Sequence, residues 1–159
     1  MRLPEEKKIV PVMNYADISS TVYTDCINMK NYHKCTFLLM LNALGGASAT
    51  LTVTSGAADA AYTSALNFKY AFGGAATGSA SCDVLAADTD KVATLTLTYG
   101  TYSGYMLIVE VDAADMDIAN GENWLSVNIT TAGSVTGRVS GFAVLEPRYD
   151  SNRSATALT

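Results

Sequence analysis

Ser48-Ala-Thr-Leu-Thr-Val-Thr-Ser55 is the stretch whose reading decides the fold. Threonine alternates with aliphatic residues at a period of two. That is the period of a strand with one face on a core and the other in water. Thr94-Leu-Thr-Leu-Thr98 repeats the pattern, and similar segments recur along the chain.

Working outward, Lys34-Cys-Thr-Phe-Leu-Leu-Met-Leu-Asn42 is the most apolar segment and reads as a central strand buried on both faces. Gly45-Gly46 ends it, and Ala49–Ser55 is expected to pair back on it as a hairpin with Leu51 and Val53 inward. Thr21–Ile27, Ser64–Phe72, Ser81–Leu85, Val92–Tyr99, Tyr105–Val111, Trp124–Thr130 and Thr136–Leu145 supply further strands. Leu66, Phe68 and Tyr70 are expected on one face of the second of these. Gly100–Gly104 reads as a turn, and Asp112–Asp117 as a helical turn capped by Asp112. About eight to ten short strands with turns every 8–12 residues indicate a sandwich or barrel. The expectation is an all-β, antiparallel β-sandwich, jelly-roll-like in its connections. Residues 1–15 read as an extended N-terminal arm or edge strand, 16–149 as the sandwich domain, and 150–159 as a flexible tail.

Composition bounds the function. The chain has 159 residues, enough for one domain that buries about 68–70% of its unfolded surface. Charged residues make up only 16%, against about 25% in ordinary soluble domains. Such a surface suits a protein packed against others, and equally a plain neutral sandwich. A net charge of −5 with ten basic residues gives no electrostatic footprint for nucleic acid and no basic helix for a membrane. The charged opening lacks the apolar core of a signal peptide. Without a secretory signal, the sequons at Asn128 and Asn152 read as chance matches. Cys26, Cys35 and Cys82 are an odd number without metal-ligand spacing, which favours free thiols.

Catalytic constellations are thin. His33 is the single histidine, and in a regular strand it would share a face with Cys35. A surface histidine beside a core cysteine is the simpler reading of that pair. Asp112, Asp115, Asp117 and Glu122 form an acidic stretch whose register is wrong for a calcium loop. Gly73, Gly74 and Gly78 lack the Lys-Ser/Thr of a phosphate loop and read as a mobile loop tip. Nine tyrosines and Trp124 show no cleft by themselves, and core or interface roles are their default. Tyr99, Tyr102 and Tyr105 flank a glycine-rich turn and are the candidate platform for a sugar ring. No cofactor or metal is expected.

Four segments carry a resemblance. They are Glu5-Glu-Lys-Lys-Ile-Val-Pro-Val12, Met29-Lys-Asn-Tyr-His-Lys-Cys35, Val109-Glu-Val-Asp-Ala-Ala-Asp-Met-Asp-Ile-Ala-Asn-Gly121 and Val144-Leu-Glu-Pro-Arg-Tyr149. In order and spacing they resemble a family of small virion proteins of tailed bacteriophages, commonly encoded beside the major capsid gene. The stretch from about Ala57 to Lys91 carries no signature of it. The resemblance implies a non-enzymatic structural protein that decorates, or cements, the outer surface of the phage head. It implies the major capsid protein as partner and a homotrimer as assembly. Two arrangements remain open beside it: a tail or head–tail connection protein, and a virion-surface carbohydrate-binding module that aids adsorption. No catalytic residue transfers. The candidate interface residues are Ile9, Val10, Pro11 and Val12, which suit addition to a neighbour's sheet edge. Pro147, Arg148 and Tyr149 join them, because Arg and Tyr are types enriched at binding hot spots.

Overall fold

A computed structural model describes residues 6–131, 133–154 and 156–158. Among these, twelve strands form two antiparallel sheets packed as a sandwich. The first sheet runs β1 (Lys8–Asp17), β12 (Val135–Pro147), β4 (Tyr32–Gly46), β10 (Met106–Asp112), β7 (Phe68–Phe72), β8 (Thr89–Val92). The second is centred on β11 (Trp124–Thr131) and β5 (Ala49–Gly56). Along the free side of β11 lie β2 (Val22–Tyr23) and β3 (Ile27–Asn28), and along that of β5 lie β6 (Ser64–Leu66) and β9 (Leu95–Leu97).

The pairs nest. β1 pairs β12, β2 and β3 pair β11, β4 pairs β10, and β5 pairs β9. A long hairpin rolled so that successive pairs alternate between two sheets is a jelly roll. β6, β7 and β8 are an insertion within its innermost turn, which raises the strand count from the expected eight to ten up to twelve.

Alternation places the core. Phe37, Leu39 and Leu41 on β4, and Leu107, Val109 and Val111 on β10, point inward. Leu51, Val53, Leu125, Val127 and Ile129 of the second sheet join them in one cluster. Each such side chain contributes about 1.5–3 kcal/mol by leaving water.

Several expectations are corrected. β4 is central, but only one face is fully buried; Leu38 and Met40 on the other face are half-buried. Ala49–Ser55 does not pair with β4. It crosses to the second sheet and pairs with β11, with Leu51 and Val53 inward as expected. Alternation records which face is apolar, and says nothing of which sheet receives it. Ser64–Phe72 breaks at Asn67, so Leu66 and Phe68 lie in different sheets. Thr21–Ile27 breaks at Thr24, whose hydroxyl accepts the Val127 N–H in place of a ladder carbonyl (3.0 Å). Val92–Tyr99 divides between β8 and β9, and Ser81–Leu85 is turns with a single bridge, Gly73 to Leu85. Gly100–Gly104 overlaps α1 (Tyr99–Tyr102), a single helical turn. Asp112 precedes a 3-10 turn at Ala113–Asp115 but makes no side-chain cap; Asp117 caps the next turn instead, accepting from the Asn120 N–H.

Both chain ends pack onto the sandwich, the N-terminal one as the edge strand that was one of its two readings. Of the expected arm, residues 1–5 lie outside the described residues. Lys8–Asp17 is the edge strand of the chain's own first sheet, because Val10 and Val12 have core to cover. In the expected tail, Asp150–Arg153 forms a 3-10 turn. Ala157 is buried, and its carbonyl accepts the Asn28 N–H (2.8 Å).

Candidate interaction surface

The outward face of the first sheet is built by the residues that alternate with the core. Register sets Pro11 beside Phe142, Phe142 beside Leu38, Leu38 beside Ile108, and Ile108 beside Ala71. One apolar row therefore crosses five strands, its β7 end, Ala71, being buried and the rest open to solvent in part. Ile9 beside Val144 flanks it on one side, and Met40 beside Met106 on the other. Phe142 is 53% exposed and Ile9 41%, while Leu38, Met40, Met106, Ile108 and Val144 are half-buried. An apolar surface this continuous marks a protein–protein site more often than an idle face.

Charged side chains border the row and balance one another. Lys7 binds Glu146 (2.6 Å), Lys34 binds Glu110 (2.7 Å), and Lys69 and Asp112 complete the border. Three cations stand against three anions on a molecule whose net charge is −5. The Lys7 hydrogen bond holds the Glu146 carboxyl below its usual range, and the Glu110 hydrogen bond raises Lys34. Two of these cations are held in ion pairs, and the face is close to neutral. An acidic protein can approach it without meeting like charge.

The expected interface residues divide. Ile9 and Pro11 lie on this outward face; Val10 and Val12 point into the core, 4% and 2% exposed. Two register shifts, with Tyr15 at φ +50°, bend β1 and blunt its edge, and the Val12 carbonyl already accepts the Asp25 N–H. Strand addition along the whole of β1 is therefore blocked by its own geometry. Pro147 pairs with Tyr32 and is half-buried. Arg148 is exposed, and its Nε donates to the Tyr32 carbonyl (3.1 Å). With His33 and the Asp112–Ala119 loop it lines a depression of about 720 Å³. Tyr149 is 72% exposed. Leu38, Ile108, Met40 and Met106 are the residues that sequence reasoning missed. Leu38 and Met40 have a signal in sequence, the second apolar set inside β4; Met106 and Ile108 have one in the unbroken apolar run of β10.

The other candidates resolve locally. A register shift between Glu146 and Pro147 makes His33 an extra residue in β4. His33 faces water while Cys35 is fully buried, its thiol pushed well up by desolvation. The pair is not a nucleophile and base. Cys26, Cys35 and Cys82 are free thiols. Lys91 pairs with Asp115 (2.5 Å), and Glu122 lies apart, accepting from the Ser55 and Ser64 hydroxyls. Among the described residues no group of three or more His, Cys, Asp or Glu side chains could hold a metal ion. Gly73 and Gly74 are covered by the 81–84 turn, and only Gly78 stands in open space. Tyr102 stacks on Phe72 (3.9 Å) and Tyr105 meets it edge-on, so both serve the core and only Tyr99 is exposed. Those three tyrosines form no platform.

No family model matches the chain, and no curated protein matches its sequence.

Proposed function

We propose that this chain is a non-enzymatic structural protein of a tailed-phage virion, a decoration protein that binds the outer surface of the head and stabilises it. The single observation that carries the docking mode is the apolar row Pro11–Phe142–Leu38–Ile108–Ala71 with its neutral ionic border. A fold alone assigns no function. The role itself rests on the four-segment resemblance, and the row supplies a surface that such a role needs. The major capsid protein is the partner, and the chain acts as a homotrimer, each copy presenting the face. Phe142 in the row and Met40 and Met106 beside it are residue types enriched at interfaces. The rigid jelly roll supports the face without a cofactor or a reaction.

Co-sedimentation with purified capsids that lack the chain tests this reading. Saturable binding, with a particle mass in solution of three copies, is the supporting result. No binding, or binding only to tails or portals, would replace it with a tail or head–tail connection role.

A further inference from the structure

Of the asparagines in the chain, Asn120 alone precedes a glycine; every other one precedes a residue that carries a Cβ. Asn120-Gly121 lies in the connection between β10 and β11, at the end of the 3-10 turn Ile118–Asn120. Gly121 sits at φ +85°, a left-handed conformation that glycine takes without strain. Asn120 is exposed, and a Cβ built on Gly121 would meet nothing within 4 Å. Water therefore reaches the pair, and no neighbouring side chain shields the Gly121 nitrogen.

Hydrogen bonds, not burial, hold the pair. Asn120 Nδ2 donates to Asp117 Oδ2 (2.7 Å), and the Asn120 N–H donates to the Asp117 carbonyl (3.2 Å). The Gly121 N–H donates to the Ile118 carbonyl (3.0 Å). The Gly121 carbonyl accepts twice from Asn123, from its N–H (2.9 Å) and from its Nδ2 (3.0 Å). The next residues anchor the loop to both sides of the second sheet. Glu122 accepts from the Ser55 and Ser64 hydroxyls at 2.7 and 2.8 Å, and the Asn123 carbonyl accepts the Met29 N–H (2.7 Å).

We infer that Asn120 is a modification site, the place where this chain deamidates spontaneously, and that the folded loop holds the reaction back. In the first step the Gly121 nitrogen attacks Asn120 Cγ. The N–Cγ bond forms, the Cγ–Nδ2 bond breaks, and the Gly121 proton leaves with Nδ2 as ammonia. Water then opens the resulting succinimide at either carbonyl, giving aspartate or isoaspartate. Water is the only co-reactant. The missing Cβ of Gly121 favours the attack, because nothing crowds the nucleophile. The fold opposes it in three ways. The nucleophile's N–H is committed to Ile118, and the leaving nitrogen is tethered to Asp117. The Asp117 carboxylate also disfavours negative charge developing on the attacking amide. Reaction therefore waits on local opening of the loop. The product sets a new carboxylate against Asp117, and isoaspartate lengthens the main chain inside a loop pinned at Gly121 and Asn123. The inference does not rest on the capsid reading.

The test is peptide-resolved mass spectrometry of the full chain incubated at mildly alkaline pH, in buffer and in guanidinium chloride, with isoaspartate read by methyltransferase labelling. In denaturant, Asn120 is expected to convert before every other asparagine. In buffer it should convert about tenfold or more slowly than in denaturant. Asp117→Ala, checked for a cooperative melt, should raise the native rate about threefold or more. Asp83→Ala, which removes an exposed carboxylate outside the loop, should leave it unchanged. Earlier conversion of another asparagine in denaturant overturns the inference. Equal native and denatured rates overturn it too, and so does a native rate that Asp117→Ala leaves unchanged.

Discussion

Leu38 of β4 and Phe142 of β12 stand directly opposite each other on the outward face of the first sheet, with Ile108 and Pro11 extending the pair on either side. Cross-strand neighbours of this kind stabilise a sheet. Here the same contact also holds a large apolar ring half in water. Phe142 is the most exposed member of the row with a large side chain, so it is the residue a partner would cover first.

Phe142→Asp is therefore expected to separate binding from folding. Capsid affinity should fall by about 2 kcal/mol or more, the scale of a hot-spot side chain. Thermal stability should fall by only about 1 kcal/mol, the scale of one lost cross-strand pair. Parallel sedimentation and melting curves check both halves. Because cations and anions on the border are equal in number and two of the three cations are ion-paired, wild-type affinity should change little as salt rises from about 0.1 to 1 M.

Thr24 occupies the gap between β2 and β3, where its hydroxyl accepts the buried Val127 N–H. Thr24→Val keeps the shape and removes that acceptor. The stranded donor should cost about 1–3 kcal/mol in a denaturant titration. Gly56→Ala should cost a similar amount, about 1–3 kcal/mol, because its Cβ would lie 1.8 Å from the Ala61 carbonyl oxygen.

Glu146 gives a signed pH dependence. Its folded carboxyl titrates below the ordinary value of 4.5, first because Lys7 hydrogen-bonds it. The stabilisation is present above the unfolded value and is lost as pH falls through the folded one. Acid titration of stability between about pH 5 and 3 should show a shallower loss for Glu146→Gln than for wild type. The difference should stay under about 1 kcal/mol, since the pair is partly solvated.

The thiols should react in order of exposure. Cys35 is fully buried and Cys26 nearly so, and burial raises both thiols. Cys82 is half-exposed. Native labelling with a thiol reagent should modify one cysteine quickly, Cys82, and all three only after denaturation.

The sequence was legible where one period decided the outcome. Leu51, Val53, Leu125, Val127 and Ile129 face the core as their spacing implies. It was opaque where a partner strand decides. Nothing in Ala49–Ser55 says that it crosses to the second sheet, and nothing in Leu66-Asn-Phe68 marks Asn67 as the corner. Ser126 and Asn128 alternate with the inward Leu125, Val127 and Ile129, yet they too are buried, with Ser126 Oγ donating to Asn128 Oδ1 and Asn128 Nδ2 to Thr54. The outward apolar row needed three registers at once, which no single segment contains. Tyr23 and Tyr62, 39 positions apart, meet in a ring stack, again beyond any local pattern.

The central claim is that the chain sits on the head through the outward face of its first sheet. Cryo-electron microscopy of virions that carry it tests this most directly. The account predicts density in many copies on the outer head surface, with Phe142 and Leu38 against the shell or a neighbouring subunit. Density confined to the tail or portal, or a copy on the head with that face turned to solvent, would contradict it.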